Sequence, residues 1–213
     1  MQIVHFGHAC VLLDTGSARL LIDPGAFSTG FEQTEGLDAV LITHQHFDHI
    51  DQNRLPALLA ANPNAKLVVD PDTAGAAKEL GVEHIVATPG DKLTIAGATV
   101  DVVGGRHADI YRDKPGITNV GYLVDGGAFL HPGDSVADVV TGVDVLGLPV
   151  SGPWLKLSEA IDFVTAVAPR VAVPIHEAVH SEIGLGITMN WINQSKPDGV
   201  EVRQLTHGEA TKV

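Results

Sequence analysis

The stretch Ala39-Val40-Leu41-Ile42-Thr43-His44-Gln45-His46-Phe47-Asp48-His49 decides how this chain reads. Its first five residues form a run without polar alternation, which predicts a short strand covered on both faces. Three histidines and an aspartate follow within six residues, a pattern H-x-H-x-D-H that this chain's own composition would yield by chance roughly once in 400. In an extended or tightly turning segment, residues two apart point the same way. His44 and His46 can therefore bind one ion while Asp48 and His49 turn toward a second. An exposed polar loop would have no need of three imidazoles.

On the N-terminal side, Gln2 to Phe6, Ala9 to Leu13 and Arg19 to Ile22 are brief apolar runs split by Gly7 and by Asp14-Thr15-Gly16-Ser17. That is turn chemistry between antiparallel strands, so a meander is expected. On the C-terminal side, a helix is predicted from an N-cap at Asn53 through Leu55, Leu58 and Leu59 to Asn62-Pro63. A strand at Lys66 to Val69 and a helix over Asp72 to Leu80, closed by Gly81, make a βα unit. Strands are expected at Lys92 to Ile95, Thr99 to Val103, Val120 to Val124, Ala128 to Leu130, Asp144 to Leu148 and Arg170 to Ile175. Leu157, Ile161, Val164 and Ala168 recur at helical spacing before Pro169. A helix after Glu177 and a strand at Val200 to Leu205 complete an order that suggests two sheets with helices outside.

Composition narrows the function classes. The chain of 213 residues is 45% hydrophobic and 18% charged, enough apolar content for a substantial core, and it reads as one continuous domain, 1–213. Thirteen Lys plus Arg against 26 Asp plus Glu leave a net charge of -13, which repels phosphate backbones and anionic membranes. Long nucleic acid and membrane partners are disfavoured; a homo-oligomer is compatible with the sequence. Cys10, the one cysteine, sits in an apolar run and reads as a small buried hydrophobe, so no oxidising compartment is required. No segment resembles a secretory leader or a membrane span, and a cytoplasmic protein is expected. Eleven histidines in so acidic a chain point toward metal chemistry.

Further candidates fall at the ends of predicted strands. His107 follows Gly104-Gly105-Arg106, Asp134 sits in His131-Pro132-Gly133-Asp134, and His176 follows Val171 to Ile175. Loops at strand ends held by a rigid sheet are where catalytic groups collect. Asp134 could bridge two ions through its two oxygens.

This ordered set, from the N-terminal meander through Leu21-Ile22-Asp23-Pro24, His44 to His49, His107, Asp134 and His176, resembles the metallo-β-lactamase fold superfamily over essentially the whole chain. The resemblance implies an α+β fold, a four-layer αββα sandwich with its site at one edge between the sheets. It assigns His44, His46 and His107 to a first metal, Asp48, His49 and His176 to a second, and Asp134 to both. Within the superfamily, His5-Phe6-Gly7-His8-Ala9 and His131-Pro132-Gly133-Asp134-Ser135 are similar to stand-alone hydrolases of the ascorbate-6-phosphate lactonase-like group. Asp134 stands where β-lactamases often carry cysteine, which argues against antibiotic hydrolysis. The chain also lacks room for the nucleic-acid domain of related nucleases.

A dinuclear metal-dependent hydrolase of a small ester, lactone or phosphoester follows as the expected function. Two dications sharing a water would lower its pKa toward about 7, and the bridging hydroxide would be the nucleophile, with Asp48 and Asp134 as the catalytic carboxylates. Zinc is the expected ion, though manganese or iron accepts the same nitrogen and oxygen donors. The ions leave the cleft locally positive, suited to a small anionic or carbonyl substrate. The alternatives are a phosphodiesterase acting on a nucleotide or RNA, a redox di-iron protein lacking its usual flavin domain, and a non-catalytic metal-binding or sensor module.

The other polar residues divide less sharply. His8 and His131 could support ligands or be buried structural histidines; Asp23 could receive a ligand histidine's free N–H. His180 reads as solvated or substrate-facing, and His5, His84 and His207 as ordinary surface or packing residues. Tyr111, Arg112, Lys114 and Gly116 could form a loop holding an anion, against the simpler reading of a solvated loop. Trp154 could line the pocket or belong to the core or a subunit contact.

Overall fold

The computed structural model describes residues 1–112 and 116–213. The predicted meander is there: β1 (Gln2–His5), β2 (Val11–Asp14) and β3 (Arg19–Ile22) run antiparallel, with Ile3 opposite Leu13 and Leu13 opposite Leu20. Beyond β3 the sheet turns parallel through β4 (Ala39–Leu41), β5 (Lys66–Val69) and β6 (His84–Val86). The second sheet begins with an antiparallel set, β7 (Lys92–Ile95), β8 (Ala98–Gly104), β9 (Val120–Val124) and β10 (Phe129–His131). It continues in parallel through β11 (Val145–Pro149), β12 (Val171–Ile175) and β13 (Glu201–Val202). The chain then leaves this sheet and crosses to the first, where β14 (Ala210–Lys212) pairs antiparallel with β1.

Alternation along the strands sorts side chains into two interfaces. Val11, Leu13, Leu20, Ile22, Ala39 and Leu41 of the first sheet meet Val100, Val102, Tyr122, Phe129, Val145 and Val173 of the second in one buried cluster. Their neighbours Leu12, Leu21, Val40 and Leu67 face the other way, onto Leu55 and Leu58 of α1 (Leu55–Ala61) and Ala77 of α2 (Ala74–Glu79). Leu146, Leu148 and Ala172 likewise pack on Phe163 and Val164 of α3 (Leu157–Val167) and Ile192 of α4 (Glu182–Ser195). Helix, sheet, sheet and helix form the expected α+β sandwich of four layers. Sheet strands buried on both faces explain the apolar runs that lacked alternation.

Several local expectations shift. Helix α1 starts at Leu55 with Arg54 as its cap residue, not at Asn53. The cause is Asp51, whose Oδ1 accepts from the N–H groups of Asn53 and Arg54 and whose carbonyl accepts from Leu55 N, so the turn is organised before Asn53. Helix α2 is shorter than Asp72 to Leu80, but Gly81 does close it, at φ +69. The strand expected over Val200 to Leu205 keeps only Glu201 and Val202. Strand β6 was not anticipated.

Two contacts tie the sheets together beside the histidine-rich segment. Tyr122 Oη donates to Ile42 O at 2.7 Å, and Val120 N donates to Thr43 O at 2.9 Å. The exits of β3, β4, β8, β10 and β12 therefore meet at one edge of the sandwich.

Candidate metal centre

Thr43 is the last fixed point before the motif: its N and Oγ1 donate to the two oxygens of buried Asp23, at 2.8 and 2.7 Å. A tight turn follows, with His49 N and Ile50 N both donating to His46 O; it leaves the His49 ring 4.0 Å from that of His44 while Asp48 approaches His8. Gly25 lies against this turn so closely that a Cβ there would stand 1.8 Å from Asp48 O. Across the cleft, Asp134 N donates to Asn119 Oδ1 at 2.9 Å. His107 N donates to Ile117 O, and the adjacent Thr118 is held by Asp70 and Asp72 at the start of the α2 segment.

All seven residues expected from the sequence come together, in two neighbouring groups that could each hold an ion. His44, His46, His107 and Asp134 form one; Asp48, His49 and His176 form the other, joined by His8. His44 Nε2 lies 3.0 Å from His46 Nδ1. Asp134 faces both groups: Oδ2 is 3.3 Å from His107 Nε2 and 3.2 Å from His176 Nε2, and Oδ1 is 3.1 Å from His49 Nε2. His8 Nε2 is 3.1 Å from Asp48 Oδ2.

The buried atoms fit bound cations better than they fit one another. His49 Nε2, His107 Nε2, His176 Nε2 and Asp134 Oδ1 are all buried without a hydrogen-bond partner. They approach to just over 3 Å but do not point along hydrogen-bond directions, the arrangement of ligands aimed at a shared point. The far nitrogens of His49 and His107 are taken, while His176 Nδ1 is buried without a partner. His49 Nδ1 donates to Asp23 Oδ2 at 2.7 Å, and His107 Nδ1 to Ala108 O at 2.6 Å. His44 Nδ1 lies 3.1 Å from Thr43 Oγ1, whose own proton goes to Asp23, so the nitrogen donates and Nε2 is left bare. Such outer partners fix the tautomer that a metal requires.

Electrostatics agree. Burial alone would raise the Asp134 carboxyl, but the charges of His49 and His176 hold it well below the usual range. Asp48 falls to about 2, burial being outweighed by the hydrogen bond from His8 and the charge of His49. Burial and His49 push His44 well down, keeping it neutral. His49 is the exception: burial would lower it, yet Asp134 and Asp23 on either side raise it well above its ordinary value.

Three residues of this edge, His8, Asp23 and His176, hold positive φ values of 52, 50 and 62 without being glycine. That costs of order 1 kcal/mol or more each and collects where side chains must be re-aimed into a site.

Trp154 turns out to be a wall of the centre: it is buried, its Nε1 donates to Asp134 Oδ2 at 2.8 Å, and its ring stands near those of His107 and His176. His131 is structural, with Nε2 donating to Ala9 O and Nδ1 accepting from Gly133 N. His180 belongs to neither group; Nε2 lies 3.2 Å from both Val150 O and Thr188 Oγ1. Arg112 lies over the Tyr111 ring, both exposed, while Lys114 lies outside the described residues. His5 and His207 are not the unrelated residues the sequence suggested, since both meet Glu177. A small cavity of about 70 Å³ opens between His46, His107, Ile110 and Ile117; exposed Phe27 and Phe47 meet edge to face, and the Phe27 ring stands against that of His8. A larger cleft of about 430 Å³, between α1 and β6, holds none of these ligands.

A family model described as the Beta-lactamase superfamily domain matches residues 2–176. The chain belongs to the metallo-β-lactamase superfamily. It is 49% identical over 191 residues to Protein Rv0786c of Mycobacterium tuberculosis, covering 88% of this chain and 89% of that one. It is 26% identical over 189 residues, 83% of each chain, to a UPF0173 metal-dependent hydrolase of Thermoplasma acidophilum. Among solved structures it is similar to Igni18, a metallo hydrolase from Ignicoccus hospitalis, with a TM-score of 0.75, 19% identity, and coverage of 99% of this chain and 97% of that one. At that identity the likeness speaks for the fold. For the superfamily, the ligand order along the chain is what made the resemblance legible in the sequence.

Proposed function

We propose that this chain is a metal-dependent hydrolase working with two divalent ions, zinc first among them, on a small ester, lactone or phosphoester. The observation that carries the reading is Asp134, which faces both groups of histidines through two oxygens whose neighbours are unpaired and aimed inward. Relatives bearing the name metal-dependent hydrolase support the class. Bound dications supply a Lewis acid for a carbonyl or phosphoryl oxygen and bring the pKa of a water toward about 7.

His44, His46 and His107 would hold one ion, Asp48, His49 and His176 the other, and Asp134 both. Asp48 and Asp134 are ionised at neutral pH, as ligands must be. Asp48, half-buried at the entrance, is also placed to orient the attacking water. No thiolate competes for the role: Cys10 is buried, and burial pushes its thiol well up. Trp154 holds Asp134 from behind and keeps bulk water off that side. The 70 Å³ cavity beside His46 and His107, with Ile110 and Ile117 in its wall, favours a small substrate with an apolar part. The net charge of -13 weighs against long polyanions and leaves nucleotides as the nearest phosphodiester alternative. The lone buried cysteine is in keeping with work in the cytoplasm.

The test is metal analysis of the purified protein, then turnover of nitrophenyl esters, lactones and phosphodiesters before and after chelation. Two tightly held ions are expected at the centre, with activity lost on chelation and reduced at least about a hundredfold in His46→Ala and Asp134→Ala. A protein that takes up no transition metal, or variants that keep full activity, would remove the proposal.

A further inference from the structure

A third convergence of ligand side chains lies outside the two groups, where the segment between β13 and β14 crosses β1. His5 ends β1, Glu177 follows His176, and His207 sits in the crossing turn, whose Gly208 N donates to His5 O at 2.8 Å. His207 Nε2 is 3.2 Å from Glu177 Oε1, His5 Nε2 is 3.8 Å from Glu177 Oε2, and one ligand atom from each residue lies within 4.8 Å of the others. Ligands of a tetrahedral zinc at about 2.0–2.1 Å stand about 3.4 Å apart, so small side-chain adjustments close this set.

Two details speak for an ion rather than a hydrogen-bonded cluster. Glu177 Oε2 is buried with no hydrogen-bond partner, while Oε1 already accepts from His8 N at 2.8 Å. His5 Nε2 is 2.9 Å from His8 O, but that carbonyl also accepts from His176 N at 2.9 Å. Giving up the His5 proton to coordinate a metal would therefore leave the carbonyl still paired. The His5 and His207 rings meet edge to face at 85°, so they do not stack and both can turn a nitrogen toward the carboxylate. The His5 side chain is 2% exposed and that of His207 56%, which gives the set a buried floor and an open side for entry and for a water ligand.

We propose that His5 Nε2, Glu177 Oε2 and His207 Nε2 form a third cation site, suited to a borderline transition metal such as Zn2+. Two imidazoles and one carboxylate favour such ions over calcium or magnesium, which take oxygen shells. The site shares no ligand with the seven of the centre. Glu177 nevertheless links it to them through His8 N, so an ion here would pin the crossing turn to the wall behind His8.

The experiment counts bound Zn2+ by native mass spectrometry and titration in the parent, His207→Ala and His207→Asp. His207→Ala is expected to hold one ion fewer than the parent at saturation, or to bind that ion at least about tenfold more weakly. His207→Asp, which replaces one ligand type by another, restores it, and the tighter ions are unaffected in both. Because the reading is a difference between proteins, it holds whether the main centre takes one ion or two. Equal ion counts and affinities in the parent and His207→Ala overturn the site; so does loss of the ion in His207→Ala without recovery in His207→Asp.

Discussion

Replacing Gly25 with alanine adds a methyl group at the closest approach around the centre. Its Cβ would stand 1.8 Å from Asp48 O, 2.0 Å from Asp48 C and 2.5 Å from His49 N. Real Cβ contacts essentially never fall below 3.0 Å, so from 1.8 Å the segments must part by about 1.2 Å, and the atoms met are main chain. Neither side is free to move. Ala26 N donates to Phe47 O at 2.8 Å, Asp51 N to Pro24 O at 3.0 Å and an Arg54 guanidinium nitrogen to Gly25 O at 2.8 Å. Overpacking costs about 1–3 kcal/mol, and breaking one or two of these bonds about 1 kcal/mol each, for a loss of about 2–5 kcal/mol. The displacement falls directly on Asp48 and His49. A shift near 1 Å in a reacting group costs about a hundredfold in rate. Urea denaturation measures the first effect, and Zn2+ titration with turnover of the substrate found measures the second, with Gly75→Ala as control. Gly75 lies in α2 with nothing within 4 Å of its added Cβ, so stability there should rise by up to about 1 kcal/mol. If Gly25→Ala kept its unfolding free energy within about 0.5 kcal/mol of the parent and its metal affinity intact, the argument from close approach would be wrong.

Asp23→Ala strips the acceptors from Thr43 N, Thr43 Oγ1 and His49 Nδ1 in a fully buried place. A loss of about 3–5 kcal/mol in urea denaturation and a ten- to hundredfold drop in Zn2+ affinity are expected; unchanged affinity would mean that Asp23 does not orient His49. Trp154→Phe keeps most of the packing but removes the donor to Asp134 Oδ2. Zn2+ binding should weaken by about tenfold while stability falls by less than about 1.5 kcal/mol, and the reverse pattern would reassign Trp154 to the core. Zn2+ uptake should release protons, because His49 in the ion-free chain is raised by Asp134 and Asp23 and must shed its proton to ligate. Affinity therefore climbs with pH until His49's raised value is passed, and calorimetry at pH 7 in buffers of different ionisation enthalpy should register that proton; a count of zero would contradict it. The same linkage gives the ion-free fold a contribution fully present below His49's unfolded value near 6.5 and lost as pH rises through the raised one. Asp48 acts oppositely: its contribution is present above its unfolded value near 3.8 and lost as pH falls toward about 2.

Strands buried on both faces were easy to read because every position had to be apolar, as in β4 and β12. Two edge strands of the first sheet were not: β6 exposes Ile85 and Val86, and β14 is the polar run Ala210-Thr211-Lys212, so neither carries the pattern of a covered strand. At α1 the sequence offered Asn53 as a cap, but Asp51 reached the free amides first, a choice between neighbouring acceptors that only the backbone path decides. The seven residues that converge at the centre were legible because four sit in one short motif and three follow apolar runs. The entry of His8 into the second group was weighed only as support, since nothing in spacing ties it to a motif 36 residues later. Trp154 on Asp134, and His5 with His207, join distant parts of the chain through packing, and local pattern carries no trace of such contacts.

The pairing of β14 with β1 also bears on how the protein is made. Residues 2–5 leave the ribosome early, but their outer hydrogen-bonding edge has no partner until residues 210–212 have been synthesised. Until then the nascent first sheet presents an open strand edge, the kind of surface that recruits other chains. Folding rate and yield should thus depend on a contact of very high sequence separation. Chaperone dependence during expression, and aggregation of fragments ending before Ala210, are where that dependence would surface.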